Sequence, residues 1–187
     1  MGSPPGNRLN WGLLEPRGSR PAGLGVLGQS GPRATDEPSP LIEDFAHGFQ
    51  DWYRLSADNP HHWEFSTRKI GDPKWRGPTG SRLTLDVQSE KPNELVMAIT
   101  DNVFRSYRGK QQEFATVVKL PGGDDWHTVS LRARDFRLVD GEAAMSSWQN
   151  ADILSLRAYH DEGKKLVGSK TWRGPQPEFR NLRWASN

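Results

Sequence analysis

The chain has 187 residues, room for one domain of ordinary size and a tail. Its apolar content of 34% is low for a globular chain, but eight Trp and seven Phe supply large buriable area. The 25 basic and 23 acidic residues are interspersed and leave a formal charge of +2, which disfavours nucleic acid as a partner, and the lack of Cys excludes disulfides, thiolate metal sites and Cys nucleophiles.

Residues 1–40 are dominated by Gly, Pro, Ser and Arg and hold no lasting hydrophobic period, so they read as a disordered tail or linker. Trp11-Gly12-Leu13-Leu14 is a short apolar patch within them. Met1-Gly2-Ser3-Pro4-Pro5-Gly6 lacks the regions of a signal peptide, and no apolar run approaches the ~18 residues of a membrane helix. The expectation is a chain that stays inside the cell, or an extracellular or periplasmic fragment of a longer secreted protein, with no membrane partner.

A folded segment is expected over 41–187. Leu41-Ile42-Glu43-Asp44-Phe45 opens it, and short β-like runs separated by turn residues follow at fairly even spacing, the pattern of a sandwich or barrel. Residues 81–87 alternate, with Leu83, Leu85 and Val87 on one face and Thr84 and Asp86 on the other. Further strands are expected over 94–100, 114–120, 126–131, 152–160 and 181–184. Only 140–149, with Ala143, Ala144 and Met145, has helix-like composition, and it is short enough to be one turn in a loop.

Two segments carry a family resemblance. Ile42-Glu43-Asp44-Phe45, with Phe49 and Trp52 after it, looks like a first strand, and Trp126-His127-Thr128-Val129-Ser130-Leu131 followed by Asp135-Phe136 fits a W-x-T-V-x-L…D-F stretch. Both resemble the galactose-binding-like jelly roll of carbohydrate-binding modules. The resemblance implies an all-β jelly-roll sandwich of two antiparallel sheets that binds polysaccharide without chemistry, as an accessory module beside a catalytic domain. The alternatives are a structural or protein-interaction sandwich, and a jelly-roll polysaccharide lyase or glycoside hydrolase. A glycosidase needs two carboxylates across a cleft, and no inward-facing acidic pair stands out. The resemblance also implies a structural calcium near the first strand, where Glu43 and Asp44 supply oxygens; the other reading of that pair is a salt bridge or a cap. Otherwise no cofactor is expected, and His47, His61, His62, His127 and His160 show no metal spacing.

Sugars offer C–H faces to flat rings and hydroxyls to Arg, Asp, Asn and Gln, so aromatics beside such residues are the candidates. Lys74-Trp75-Arg76-Gly77-Pro78 recurs in part as Thr171-Trp172-Arg173-Gly174-Pro175. Trp75 and Trp172 are expected at one rim with Arg76 and Arg173 as donors; the alternative has each Trp capping an open end of the sandwich, shielded by its Arg. In 152–160, Leu154, Leu156 and Ala158 suit the core, and Arg157 and Tyr159 project from the other face, where modules of this fold can hold a cleft. The bend at 101–108 adds Arg105 and Tyr107, with the ordinary packed hairpin as its alternative.

Overall fold

The computed structural model describes residues 40–55, 61, 63–103, 109–158 and 172–186, all within the unit spanning Asp36–Asn187. The expected tail, apart from Pro40, therefore lies outside the described residues, as do Arg105, Tyr107 and Tyr159.

Among the described residues ten strands form: β1 (Leu41–Glu43), β2 (Tyr53–Leu55), β3 (Glu64–Thr67), β4 (Arg82–Gln88), β5 (Asn93–Asp101), β6 (Gln112–Leu120), β7 (His127–Leu131), β8 (Arg137–Leu138), β9 (Ala151–Arg157) and β10 (Glu178–Ala185). They make two antiparallel sheets of a jelly-roll β-sandwich, four-stranded in the order β1-β10-β4-β7 and six-stranded in the order β2-β3-β9-β5-β6-β8. The expected strands are all present in outline. The short strands β2, β3 and β8 were not anticipated, since a run of two to four residues shows no period.

The alternation read in β4 holds, with Leu83, Leu85 and Val87 fully buried between the sheets. Leu95, Met97 and Ile99 of β5 and Leu154 and Leu156 of β9 meet them from the other sheet. Burying a side chain of this size stabilises by roughly 1.5–3 kcal/mol. The Trp content is mostly architectural. Trp52, Trp63, Trp148, Trp172 and Trp184 are buried, and only Trp75 and Trp126 are partly exposed among the described residues. Phe49 stacks on Phe65 at 3.8 Å, with Trp52 and Phe179 packed edge-on around them. Phe136, Trp148 and Trp184 form a second aromatic group.

The helix-like composition of 140–149 does not produce a helix. Leu138 N–H donates to Ala143 and Met145 N–H to Phe136, and Ala144 bridges to Arg137, so the segment folds back on β8. That path delivers Met145 and Trp148 to the core, a larger gain than the local propensity of two alanines.

Candidate functional site

The side chains that face away from the core on the six-stranded sheet are fixed by register. Phe65, Leu154, Leu156, Met97 and Phe114 point inward, so their neighbours Ser66, Ser155, Ala98 and Ala115 point outward. Strand pairing aligns Tyr53, Ser66, Ser155, Ala98, Ala115 and Arg137 in one row across all six strands. At about 4.8 Å per strand this row spans roughly 24 Å. Its four central members are small and buried, and Ala98 and Ala115 join Val96 and Val139 in a second apolar cluster on this side of the sheet.

The adjoining row contains Glu64, Arg157, Val96 and Val117. Arg157 Nε lies 3.0 Å from Glu64 Oε1, and its Nη1 donates to Glu113 Oε1 at 2.5 Å. Glu113 pairs with Thr100, two rows from Arg157 along β5, so the guanidinium reaches across the position of Ala98. A larger residue there would stand in its path. Ser66 Oγ donates to Glu64 Oε1 at 2.8 Å and lies 2.8 Å from Ser155 Oγ. Burial opposes the charge on Arg157, but Glu64 and Glu113 more than restore it, and its pKa is raised further.

The two ends of the row are open. Tyr53 is 54% exposed, with the Arg68 guanidinium 5.1 Å from its ring centroid. At the β8 end lies a cavity of about 450 Å³ lined by Ala115, Val117 and Val139, with Arg137, Asp140 and Glu142 at its polar side. An apolar wall beside carboxylates and a guanidinium suits the C–H faces and hydroxyls of a sugar ring.

The structure separates the other expected residues. Trp75 is partly buried; its carbonyl accepts from Trp184 Nε1, and Lys74 Nζ lies 4.4 Å from its ring centroid. Arg76 donates to the Gly71 carbonyl. Trp172 is 1% exposed, packs against Trp63 and donates to the Pro175 carbonyl, so it has no face to offer a sugar. Arg173 is exposed and donates to the Pro92 carbonyl. The two Trp do not share a rim. Trp75 sits beside Trp184, which pairs with Leu83 at the start of β4, whereas Arg173 N–H bonds Asn93 beyond the end of β4.

The same four letters are used for different reasons. A Cβ on Gly77 would come within 2.8 Å of Trp148 and Trp184, whereas Gly174 has φ +78°. One glycine makes room and the other makes a turn. The capping alternative agrees with the burial of Trp172 and the partial burial of Trp75, but the cations described near Trp75 are Lys69 and Lys74 rather than Arg76.

Tyr53, Glu64 and Glu113 were missed as site residues. Tyr53 follows a Trp in a segment read only as an opening strand, and the two glutamates gain meaning only through their pairing with Arg157. At the first strand, Glu43 Oε2 accepts from Lys69 Nζ at 2.5 Å and from Trp52 Nε1, while Asp44 accepts from Ala46 N–H. Lys69 thus supplies the positive charge beside Glu43. Among the described residues no group of three His, Asp or Glu is placed to hold a metal ion, and no helix is long and apolar enough to cross a membrane.

No family model and no curated protein sequence matches the chain. Two solved structures similar to it are carbohydrate-binding modules of family 11. One is the module from Clostridium thermocellum in complex with a β-1,3-1,4-mixed-linked tetrasaccharide, 13% identical over 79% of this chain and 95% of that one, with a TM-score of 0.46. The other is the module of the cellulosomal cellulase Lic26A-Cel5E of Clostridium thermocellum, 14% identical over 80% of this chain and 95% of that one, with a TM-score of 0.46.

Proposed function

We propose that the outer face of the six-stranded sheet binds a polysaccharide chain without chemistry, as an accessory module beside a catalytic domain outside the cell. The observation that carries this reading is the exposed Tyr53 ring and the sugar-sized cavity at β8, at opposite ends of one strand row whose middle is buried. Tyr53 stacks on one sugar ring, and Arg137, Asp140 and Glu142 bond the hydroxyls of another in the cavity. Arg157, Glu64 and Glu113 shape the ground between them. Of the residues singled out in the sequence, Arg157 belongs to this face.

Binding is favoured over hydrolysis by the pairing of the carboxylates. Glu64 and Glu113 both bond the Arg157 guanidinium rather than facing each other across an open cleft. A glycosidase instead presents two carboxyls to the scissile bond across a cleft. The test is affinity electrophoresis of the whole chain in gels containing mixed-linkage β-glucan, xylan or galactomannan. Retardation by at least one polymer is expected, reduced about tenfold in affinity by Tyr53→Ala with unchanged melting temperature. Retardation by none, or new reducing ends released from any of them, would overturn the proposal.

A further inference from the structure

The other sheet carries a feature that the fold does not require. Along a regular strand, residues three apart point to opposite faces. In β10 the register against β4 shifts between Arg180, opposite Asp86, and Arg183, opposite Thr84. Asn181, at φ 55°, makes this bulge, a left-handed conformation that Asn tolerates better than most residues. The extra residue turns Arg180 and Arg183 to the same outward face, away from the buried Phe179, Leu182 and Trp184.

Asp86 holds the pair in place. Its Oδ1 accepts from Thr128 Oγ1 at 2.7 Å and its Oδ2 from Asn181 Nδ2 at 2.8 Å. Arg180 Nε lies 3.6 Å and Arg183 Nη1 4.0 Å from that same Oδ2. The Arg180 guanidinium also rests on the Trp126 ring, 4.0 Å from its centroid. One carboxylate therefore faces two guanidiniums, which remain 47% and 40% exposed. Arg82, opposite Ala185, adds a third cation to the same face. The three arginines occupy three consecutive rows, about 6.8 Å apart along the strands.

We propose that this stripe is a second binding surface, for a carboxylate-bearing polysaccharide of the polyuronate class laid along β10 and β4. Guanidiniums pair with carboxylates through two parallel hydrogen bonds, and a regular series of carboxylates matches a regular series of arginines. The border of the stripe favours a polysaccharide over an acidic protein segment. The exposed Ser130 of β7 supplies a hydroxyl for a hydroxyl-rich chain, and Thr128 Oγ1, which donates to Asp86, keeps its capacity to accept. A peptide would be expected to add to the edge of β7 rather than lie on the face.

The test uses the whole chain and two forms of one polymer, polygalacturonate and its fully methyl-esterified form, at low and at 0.3 M salt. Binding to polygalacturonate is expected at low salt, weakened at least tenfold by esterification and strongly by added salt. The variant Arg180→Gln/Arg183→Gln should weaken it at least tenfold while retaining any β-glucan binding of the wild type. Arg82→Gln, remote from Asp86, should weaken it severalfold with no change in melting temperature. The proposal is overturned if neither form binds, if esterification has no effect, or if both arginine variants bind as the wild type does. It is equally overturned if polyglutamate or single-stranded DNA binds as tightly through the same arginines.

Discussion

Replacing Arg157 by Ala removes the cation from between two glutamates on the outer face of the six-stranded sheet. The side chains of Arg157, Glu64 and Glu113 are only 17%, 9% and 15% exposed. Breaking a buried ion pair from one side typically costs ~3–5 kcal/mol, because a carboxylate stays behind without its counter-charge. The residual exposure here places the expected loss near the lower end, about 3 kcal/mol. Urea unfolding followed by Trp fluorescence would show this as a midpoint lower by ~1.5 M for a slope of ~2 kcal/mol/M. The combined variant Arg157→Met/Glu64→Gln/Glu113→Gln removes all three charges and should regain most of the loss. A single-variant loss below ~1 kcal/mol, or a triple variant no more stable than the single one, would refute the account of Arg157 as a charge locked between two acids.

The Trp pair offers a second test: Trp172→Ala should cost ~3–5 kcal/mol and Trp75→Ala less than half as much, read by the same unfolding curves. Gly77→Ala should cost ~1–3 kcal/mol, because its Cβ meets Trp148 and Trp184 at 2.8 Å, and thermal unfolding would register it. Stability against pH should carry opposite signatures from two aspartates. Burial alone would raise Asp86, but bonds from Asn181 and Thr128 and the charges of Arg183 and Arg180 outweigh it, so its pKa falls below the ordinary 3.8. Its contribution is present above 3.8 and is lost as pH falls through the folded value, and Asp86→Asn should flatten the acid limb of the melting curve. Burial pushes Asp101 above 3.8 despite the bond from Gln112 N–H, with Asp152 adding repulsion. Its contribution is present below 3.8 and lost as pH rises through the folded value, so Asp101→Asn should raise the melting temperature at pH 7 more than at pH 3.

The sandwich was legible because its signals are local. The alternation of Leu83, Leu85 and Val87, and of Leu154 and Leu156, can be read within one strand, and all five side chains are fully buried. The site was legible only in part, because its residues lie as far apart in the chain as Tyr53 and Ser155 and meet through register. Arg157 was placed on the correct face by alternation, but nothing near it in sequence announces Glu64 or Glu113. The Trp-Arg-Gly-Pro segments misled in the opposite way. Their shared letters implied a shared rim, whereas Trp172 gains more from joining Trp63 in the core than from facing water.

The two sheet faces differ most in how their arginines are neutralised, and this sets what each can hold. Arg157 is set between Glu64 and Glu113, Asp140 and Glu142 stand beside Arg137 at the cavity beyond it, and Arg68 lies by Tyr53, so among these residues the carboxylates outnumber the guanidiniums four to three. A polyuronate chain laid there would meet like charge at Glu64, Glu113 and the cavity, a repulsion that a neutral chain escapes. On the other face Asp86 pairs with Arg180 and Arg183, Arg82 adds a third cation and Glu178, opposite Gln88, a second carboxylate, so the excess among these residues is basic. Neutral-chain binding through Tyr53 and the cavity should therefore hardly change between 0.05 and 0.3 M salt in affinity electrophoresis, whereas binding through the arginine stripe should fall steeply. Equal salt sensitivity of the two would mean that both polymers use one face, and would refute the assignment of each chain by the charge it meets.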